Sequence, residues 1–134
     1  MDHSECKIQM LDLYFSKYNF TQKRTANNEE YNSSFTINYA TNNDDNTKIK
    51  VTIDTLVTNH TKSITLDLQT VGVFKVDRTD LDKSVYEHLV KVNTVAIIFP
   101  FIRSQISLLT TQPGMTPVML PPINLNALIE TKED

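Results

Sequence analysis

Between Ser34 and Val76 the chain alternates apolar and polar residues in three successive runs, each closed by turn-forming residues. Phe35, Ile37 and Tyr39 alternate with Thr36, Asn38 and Ala40. Ile49, Val51 and Ile53 begin a second run, in which Leu56 and Val57 change phase as a bulge would. The third run is the strictest: Ile64, Leu66 and Leu68 against Thr65, Asp67 and Gln69, continuing through Gly72-Val73-Phe74 to Val76. Neighbouring side chains of an extended strand point to opposite faces, so a period of two predicts strands with one buried face. Residues 41–47 (TNNDDNT) and Asn59-His60-Thr61-Lys62 separate the runs. Their Asn and Asp side chains bond the local backbone and tolerate left-handed geometry, which suits tight reversals. Three strands joined this way form an antiparallel meander with one face on a core.

The flanking segments complete an α+β chain. Residues 6–22 carry Ile8, Met10, Leu11, Leu13, Tyr14, Phe15, Tyr18 and Phe20. The Ile8-Met10 and Tyr18-Phe20 alternation favours an extended segment bent near Ser16-Lys17, with a helix as the alternative. Residues 23–32 are polar and read as a loop. After the meander, Asp80 can cap a helix over residues 81–92 with Val85, Tyr86, Leu89 and Val92 on one face. Pro100 then either opens a second helix or kinks a continuous one. Beyond it Ile102, Ile106 and Leu109 make a stripe that Phe101 and Leu108 widen, until Thr111-Gln112-Pro113-Gly114 stops the helix. At 134 residues the expectation is a single domain spanning 1–134. It has an antiparallel sheet of about four strands, a long helix in the C-terminal half and a short terminal helix.

Catalytic chemistry finds no purchase here. His3, His60 and His88 are isolated, with neither a carboxylate nor a second histidine at metal-ligand spacing, so no metal site is expected. Gly72 and Gly114 are the only glycines, which rules out a glycine-rich phosphate loop. The acidic pairs Glu29-Glu30 and Asp44-Asp45 fall in loop-like stretches, and no serine occupies a nucleophile elbow. We therefore expect a non-enzyme without a cofactor. A net charge of −3, with Lys23-Arg24 the only adjacent basic pair, argues against nucleic acid as a partner. Cys6 is the only cysteine, so no internal disulfide can form. The N-terminus lacks a signal-peptide pattern, and the longest apolar run, residues 96–102, is short for a membrane span. The expectation is a cytoplasmic protein. Asn19, Asn32 and Asn59 match the glycosylation pattern, by chance in so Asn-rich a chain.

Two features point to binding. One is the Ile64-Leu66-Leu68 face, whose plain alternative is core packing beneath a helix. The other is residues 113–122, where Met115, Val118, Met119 and Leu120 sit among four prolines. Prolines deny such a segment regular hydrogen-bonded structure, and methionine side chains adapt to varied surfaces. A loop that merely covers its own core would have the same composition.

The run IIFPFIRSQISLL, followed by MTPVMLPPINLNALI, resembles the SecB family of protein-export chaperones. The matching elements are Phe99-Pro100-Phe101-Ile102-Arg103 and Pro122-Ile123-Asn124-Leu125-Asn126-Ala127-Leu128, with Gly72-Val73-Phe74 similar to the family's Gly-Ile-Phe. The resemblance is strong over residues 62–129 and diffuse before them. It implies an ATP-independent holdase for unfolded polypeptides or preproteins, working as a homotetramer built from dimers and able to deliver to the SecA motor. It implies a client groove lined by Ile64, Leu66 and Leu68, with Met115, Val118, Met119 and Leu120 as its flexible wall. On the opposite sheet face Asp67 matches an acidic SecA-contacting position. The helix after Pro100, through Phe101, Ile102, Ile106 and Leu109, would supply the subunit interface. Thr70-Val71 stands where many members have Gln-Gly, which weakens the SecA expectation relative to client holding. Some SecB-like proteins instead serve the antitoxin of a toxin–antitoxin pair, and an interaction module with one defined partner is the rival from another class.

Overall fold

The computed structural model describes residues 7–23, 30–41, 47–77 and 82–120, and in it every alternating run is a strand. β1 (Lys7–Gln22), β2 (Tyr31–Thr41), β3 (Lys48–Asn59) and β4 (Ile64–Asp77) are followed by a single helix, α1 (Lys83–Leu109). The strands form one sheet in the order β1-β4-β3-β2, with each neighbouring pair antiparallel. β2, β3 and β4 are the expected meander, and β1 closes against its far side. The pairing of β1 with β4 shifts register between Met10 and Asp12 and again between Phe15 and Lys17. The second shift is the bend expected near Ser16-Lys17, and the helical alternative for this segment does not occur. Extra residues of this kind sharpen twist and bend an edge strand.

The phase change expected at Leu56-Val57 is absent. β3 pairs without interruption on both sides, and Thr55 takes the inward slot between Ile53 and Val57. Its β-branched shape fills a pleated, buried position as valine would. Thr55 and Thr70 both lie on the inner face with hydroxyls that have no partner among the described residues. The turn after β3 forms where expected. Asn59 is buried, its Nδ2 donates to Ser63 Oγ at 2.7 Å, and its Oδ1 accepts from Ile64 N at 3.2 Å. Lys62 supplies the left-handed residue at φ 56°. An Asn59 engaged in this way is closed to glycosylation in the folded chain.

α1 runs unbroken through Pro100. Proline removes one backbone donor and crowds the carbonyl four residues back. Here Pro100 and Ala96 are both exposed, so the freed carbonyl of Ala96 lies on the outward side of the helix, within reach of solvent. The helix begins at Lys83 after Asp82, so the predicted start at residue 81 moves by two, and Asp80 lies outside the described residues. So does the expected short terminal helix. The buried stripe is Val90, Thr94, Val95, Ile98, Phe99, Ile102 and Ile106. Of the face predicted from Val85, Tyr86, Leu89 and Val92, Val85 is 46% exposed, whereas Tyr86 and Val92 are partly buried against the core. Apolar residues occupy so much of this helix's circumference that periodicity alone does not isolate the fully buried stripe.

α1 lies over the inner face. Ile98 sits on Gly72 of β4, and the Phe99 ring meets Phe35 of β2 edge-on at 5.5 Å between centroids. Lys91 stands over the Tyr39 ring at 5.6 Å, and its carbonyl accepts from Tyr39 Oη at 3.3 Å. The core that results joins Val51, Ile53, Val57, Leu66, Leu68 and Phe74 to the buried stripe of the helix. By length and composition this 27-residue helix could cross a membrane, which corrects the expectation that no segment is long enough. The correction follows from its continuity through Pro100, and its buried stripe against the sheet is equally what a core helix shows.

Candidate functional site

The three residues expected to line an open groove are covered. Leu66 and Leu68 are fully buried and Ile64 is 8% exposed, so they form a floor rather than a surface. Part of what covers the core is the expected wall itself. After α1 the chain turns at Thr110 and Gly114 (φ 73°) and runs back along the helix as a strap that belongs to no helix or strand. Val118 and Leu120 point into the core and are buried, Met115 is half-buried, and Met119 is 73% exposed. The alternation in, out, in is that of an extended chain.

The strap is tied to α1 through main-chain groups. Val118 N donates to Thr110 Oγ1 at 2.8 Å, and Arg103 Nε donates to the Leu120 carbonyl at 3.2 Å. Thr110 is fully buried, and its hydroxyl proton goes to the Ile106 carbonyl at 2.7 Å, leaving a lone pair for Val118. Met119 Sδ lies 3.5 Å from Ser107 Oγ. Burying Val118 and Leu120 is worth about 1.5–3 kcal/mol each, and each such hydrogen bond about 0.5–1.5 kcal/mol net. Sequence reasoning missed Arg103 and Thr110. The signal was a positional one, since a threonine at the helix end and an arginine two turns earlier share a flank of the wheel.

The expected interface residues divide. Ile102 and Ile106 are fully buried in the chain's own core and have no area to lend to a second subunit. Leu109 is half-buried, whereas Phe101 is 44% and Leu108 66% exposed. Ile97, Phe101 and Leu108 share the helix flank opposite Phe99. Because Phe99 meets β2 and Ile98 sits on β4, that flank overlooks β1, where Phe15 and Tyr18 lie 5.8 Å apart. The strap and this aromatic flank are therefore two separate apolar surfaces on opposite sides of α1.

The other sheet face is mostly polar, with Tyr14 and Leu56 exposed on it. Asp67 points there, as alternation required, and its carboxylate pairs with Lys17 Nζ of β1 at 3.0 Å. Beside them Gln69 bridges two strands: its Oε1 accepts from Ser16 Oγ at 2.6 Å and its Nε2 donates to Asp54 at 2.9 Å. Both ends of the Lys17–Asp67 pair are a third or more exposed, so it contributes no more than about 1 kcal/mol. Among the described residues no group of three or more His, Cys, Asp or Glu side chains converges to hold a metal. A shallow cleft between Tyr39, Ile49, Tyr86 and Lys91 lies at the other end of α1 from the strap.

Comparison with known proteins agrees with this geometry. The family model described as preprotein translocase subunit SecB matches residues 5–134. The protein-export protein SecB of Rickettsia typhi is 31% identical over 101 residues, 74% of this chain and 65% of its own length. That of Rickettsia akari is 36% identical over 67 residues, 50% of this chain and 43% of its own. An uncharacterised protein of Methanocaldococcus jannaschii is 35% identical over 69 residues, 52% of this chain and 43% of its own. The chain thus spans less than two thirds of these relatives. A SecB-like chaperone of Mycobacterium tuberculosis, solved in complex with a ChAD peptide from the HigA1 antitoxin, superposes with a TM-score of 0.67 at 15% identity. That alignment covers 87% of this chain and 88% of that one. A four-stranded antiparallel sheet carrying one long helix, a strap folded back along it and a family match over nearly the whole length together place this chain in the SecB family of chaperones.

Proposed function

We propose that the chain is an ATP-independent holdase for unfolded or non-native polypeptides, among them preproteins bound for SecA-dependent export. It works in the cytoplasm as a homotetramer, a dimer of dimers, without cofactor or nucleic acid. The observation that carries this reading is an apolar core walled on one side by a proline-punctuated strap instead of regular structure. Met119 stands out from that wall, and Ile64, Leu66 and Leu68 lie beneath as its floor. Burying each square ångström of a client's apolar surface yields roughly 25 cal/mol, so a few hundred Å² suffice to offset the client's ordering. Several such sites on one oligomer add avidity, because later contacts become intramolecular. The exposed Phe101 and Leu108 flank is the part of the helix with area available for subunit contact.

Aggregation of a denatured substrate, followed by light scattering, tests the reading. Wild-type protein, an oligomer by mass, suppresses aggregation in proportion to the amount added. A monomer with no suppression points to an interaction module with one partner. Leu66→Asp is unsuitable as a groove variant, because it would bury an unpaired carboxylate in the core and unfold the chain.

The role of Asp67 is a separate proposal. A charge on the polar sheet face can meet the translocase motor only if Lys17 yields it. Asp67→Arg sets two cations against each other across β1 and β4 and weakens SecA binding in a titration. Unaltered binding removes Asp67 from that role. A second reading, a chaperone dedicated to an antitoxin, is favoured by the structural neighbour, which was solved with an antitoxin peptide. Selective binding of an antitoxin segment, with no general suppression of aggregation, would establish it.

A further inference from the structure

The bonds that hold the strap engage its backbone, and this indicates what else the site accepts. In an extended chain the N–H of one residue and the C=O two residues on face the same edge, while their side chains share one face. Val118 and Leu120 have that arrangement: both side chains are buried, while Thr110 Oγ1 accepts the first N–H and Arg103 Nε donates to the last C=O. Neither Thr110 nor Arg103 reads a side chain, and the intervening Met119 faces outward. Nothing in this arrangement requires that the occupant belong to the chain itself.

We propose that Val118-Met119-Leu120 is a resident pseudo-client. Incoming polypeptides bind by displacing it, presenting an extended apolar-any-apolar segment whose main chain takes over the Thr110 acceptor and the Arg103 donor. This deepens the holdase reading and rests on it. The strap is suited to exchange because residues 115–120 make no ladder with any strand, and Pro117 has no N–H to offer. Selection is by an apolar pair two residues apart and by a free N–H on the first of them, so any sequence with those features qualifies. A docked strap also lowers apparent affinity, since only the undocked fraction is competent to bind.

Binding of a fluorescein-labelled peptide containing Val-Met-Leu between Gly-Ser flanks, read by anisotropy, tests the proposal on the full chain. The double variant Val118→Ala/Leu120→Ala empties the site without altering Thr110 or Arg103, and its affinity for the peptide rises about 3- to 10-fold. If clients instead packed against a strap that stays docked, the same variant would bind more weakly. Unchanged or weaker binding therefore overturns the proposal. N-methylation of the peptide's Val amide removes the donor for Thr110 and lowers affinity several-fold, and equal binding of the methylated peptide also overturns it. In the wild-type protein, hydrogen exchange at the Val118 amide accelerates when peptide is added, and unchanged protection counts against displacement. If wild-type protein fails to suppress aggregation at all, the holdase reading itself fails. If it suppresses aggregation and these three measurements go against displacement, only this inference does.

Discussion

Ile102→Ala and Ile106→Ala each lower the free energy of unfolding by about 2–5 kcal/mol, and the loss is the same at every protein concentration. Both side chains are fully buried between α1 and the sheet of their own chain. Truncation removes their transfer free energy and leaves a cavity that a close-packed core refills only in part. Phe101→Asp behaves oppositely. At 44% exposure its ring contributes little to the chain's own core, so stability changes little while association weakens. Chemical denaturation at several concentrations, together with light scattering, separates the two cases. A fall in oligomer mass with unchanged midpoint for Ile102→Ala would return that residue to the subunit interface.

Gly72→Val destabilises by about 3 kcal/mol, and Gly72→Ala by about 1 kcal/mol. The reason is proximity, since the backbone there is ordinary strand. A β-carbon at this position would lie 2.8 Å from Ile98 Cδ1 and 2.8 Å from Phe74 Cε1. Both are the ends of side chains and can swing aside for a single methyl, although Ile98 Cγ1 at 3.1 Å limits how far. Valine adds two methyls where neither neighbour has room, so α1 must lift from β4. Thermal unfolding checks both variants, and a Val variant as stable as wild type would mean that the helix is not seated on this residue. Lifting α1 also moves Arg103 and Thr110, so client binding should fall with it.

The sheet was legible because its strands are half-buried, and a half-buried strand writes its faces into the sequence as a period of two. That rule also placed Asp67 opposite Leu66 and Leu68. It misplaced a phase change at Leu56-Val57, because hydropathy marks the hydroxyl of Thr55 while packing responds to its branched carbon. The helix was less legible for the opposite reason. Exposed Val85 belongs to as good a stripe as the residues that are buried, and only the sheet decides which of them it covers. Pro100 left a second helix and a continuous one equally open, and the continuous helix forms. Leu66 and Leu68 share one core with Val118 and Leu120 of the strap. Whether an apolar face awaits a guest or is already covered depends on where the following segment folds, and that is a long-range fact which composition does not carry. Arg103 and Thr110 fall on the side of the helix expected to face away, yet Thr110 is buried; the roles of both went unread because their partners are backbone atoms, which leave no trace in residue identity.

The strand order has a consequence in time. β2, β3 and β4 pair with sequence neighbours, whereas β1 pairs with β4, Lys7 against Asp77, across most of the described sheet. Closing so long a loop is slow compared with forming hairpins. During synthesis β1 leaves the ribosome first and acquires its partner last. Until residue 77 has emerged, the row Leu11, Leu13, Tyr14, Phe15, Tyr18 and Phe20 stays uncommitted. Each nascent copy therefore spends its early life displaying the kind of apolar, extended segment that finished copies are proposed to hold.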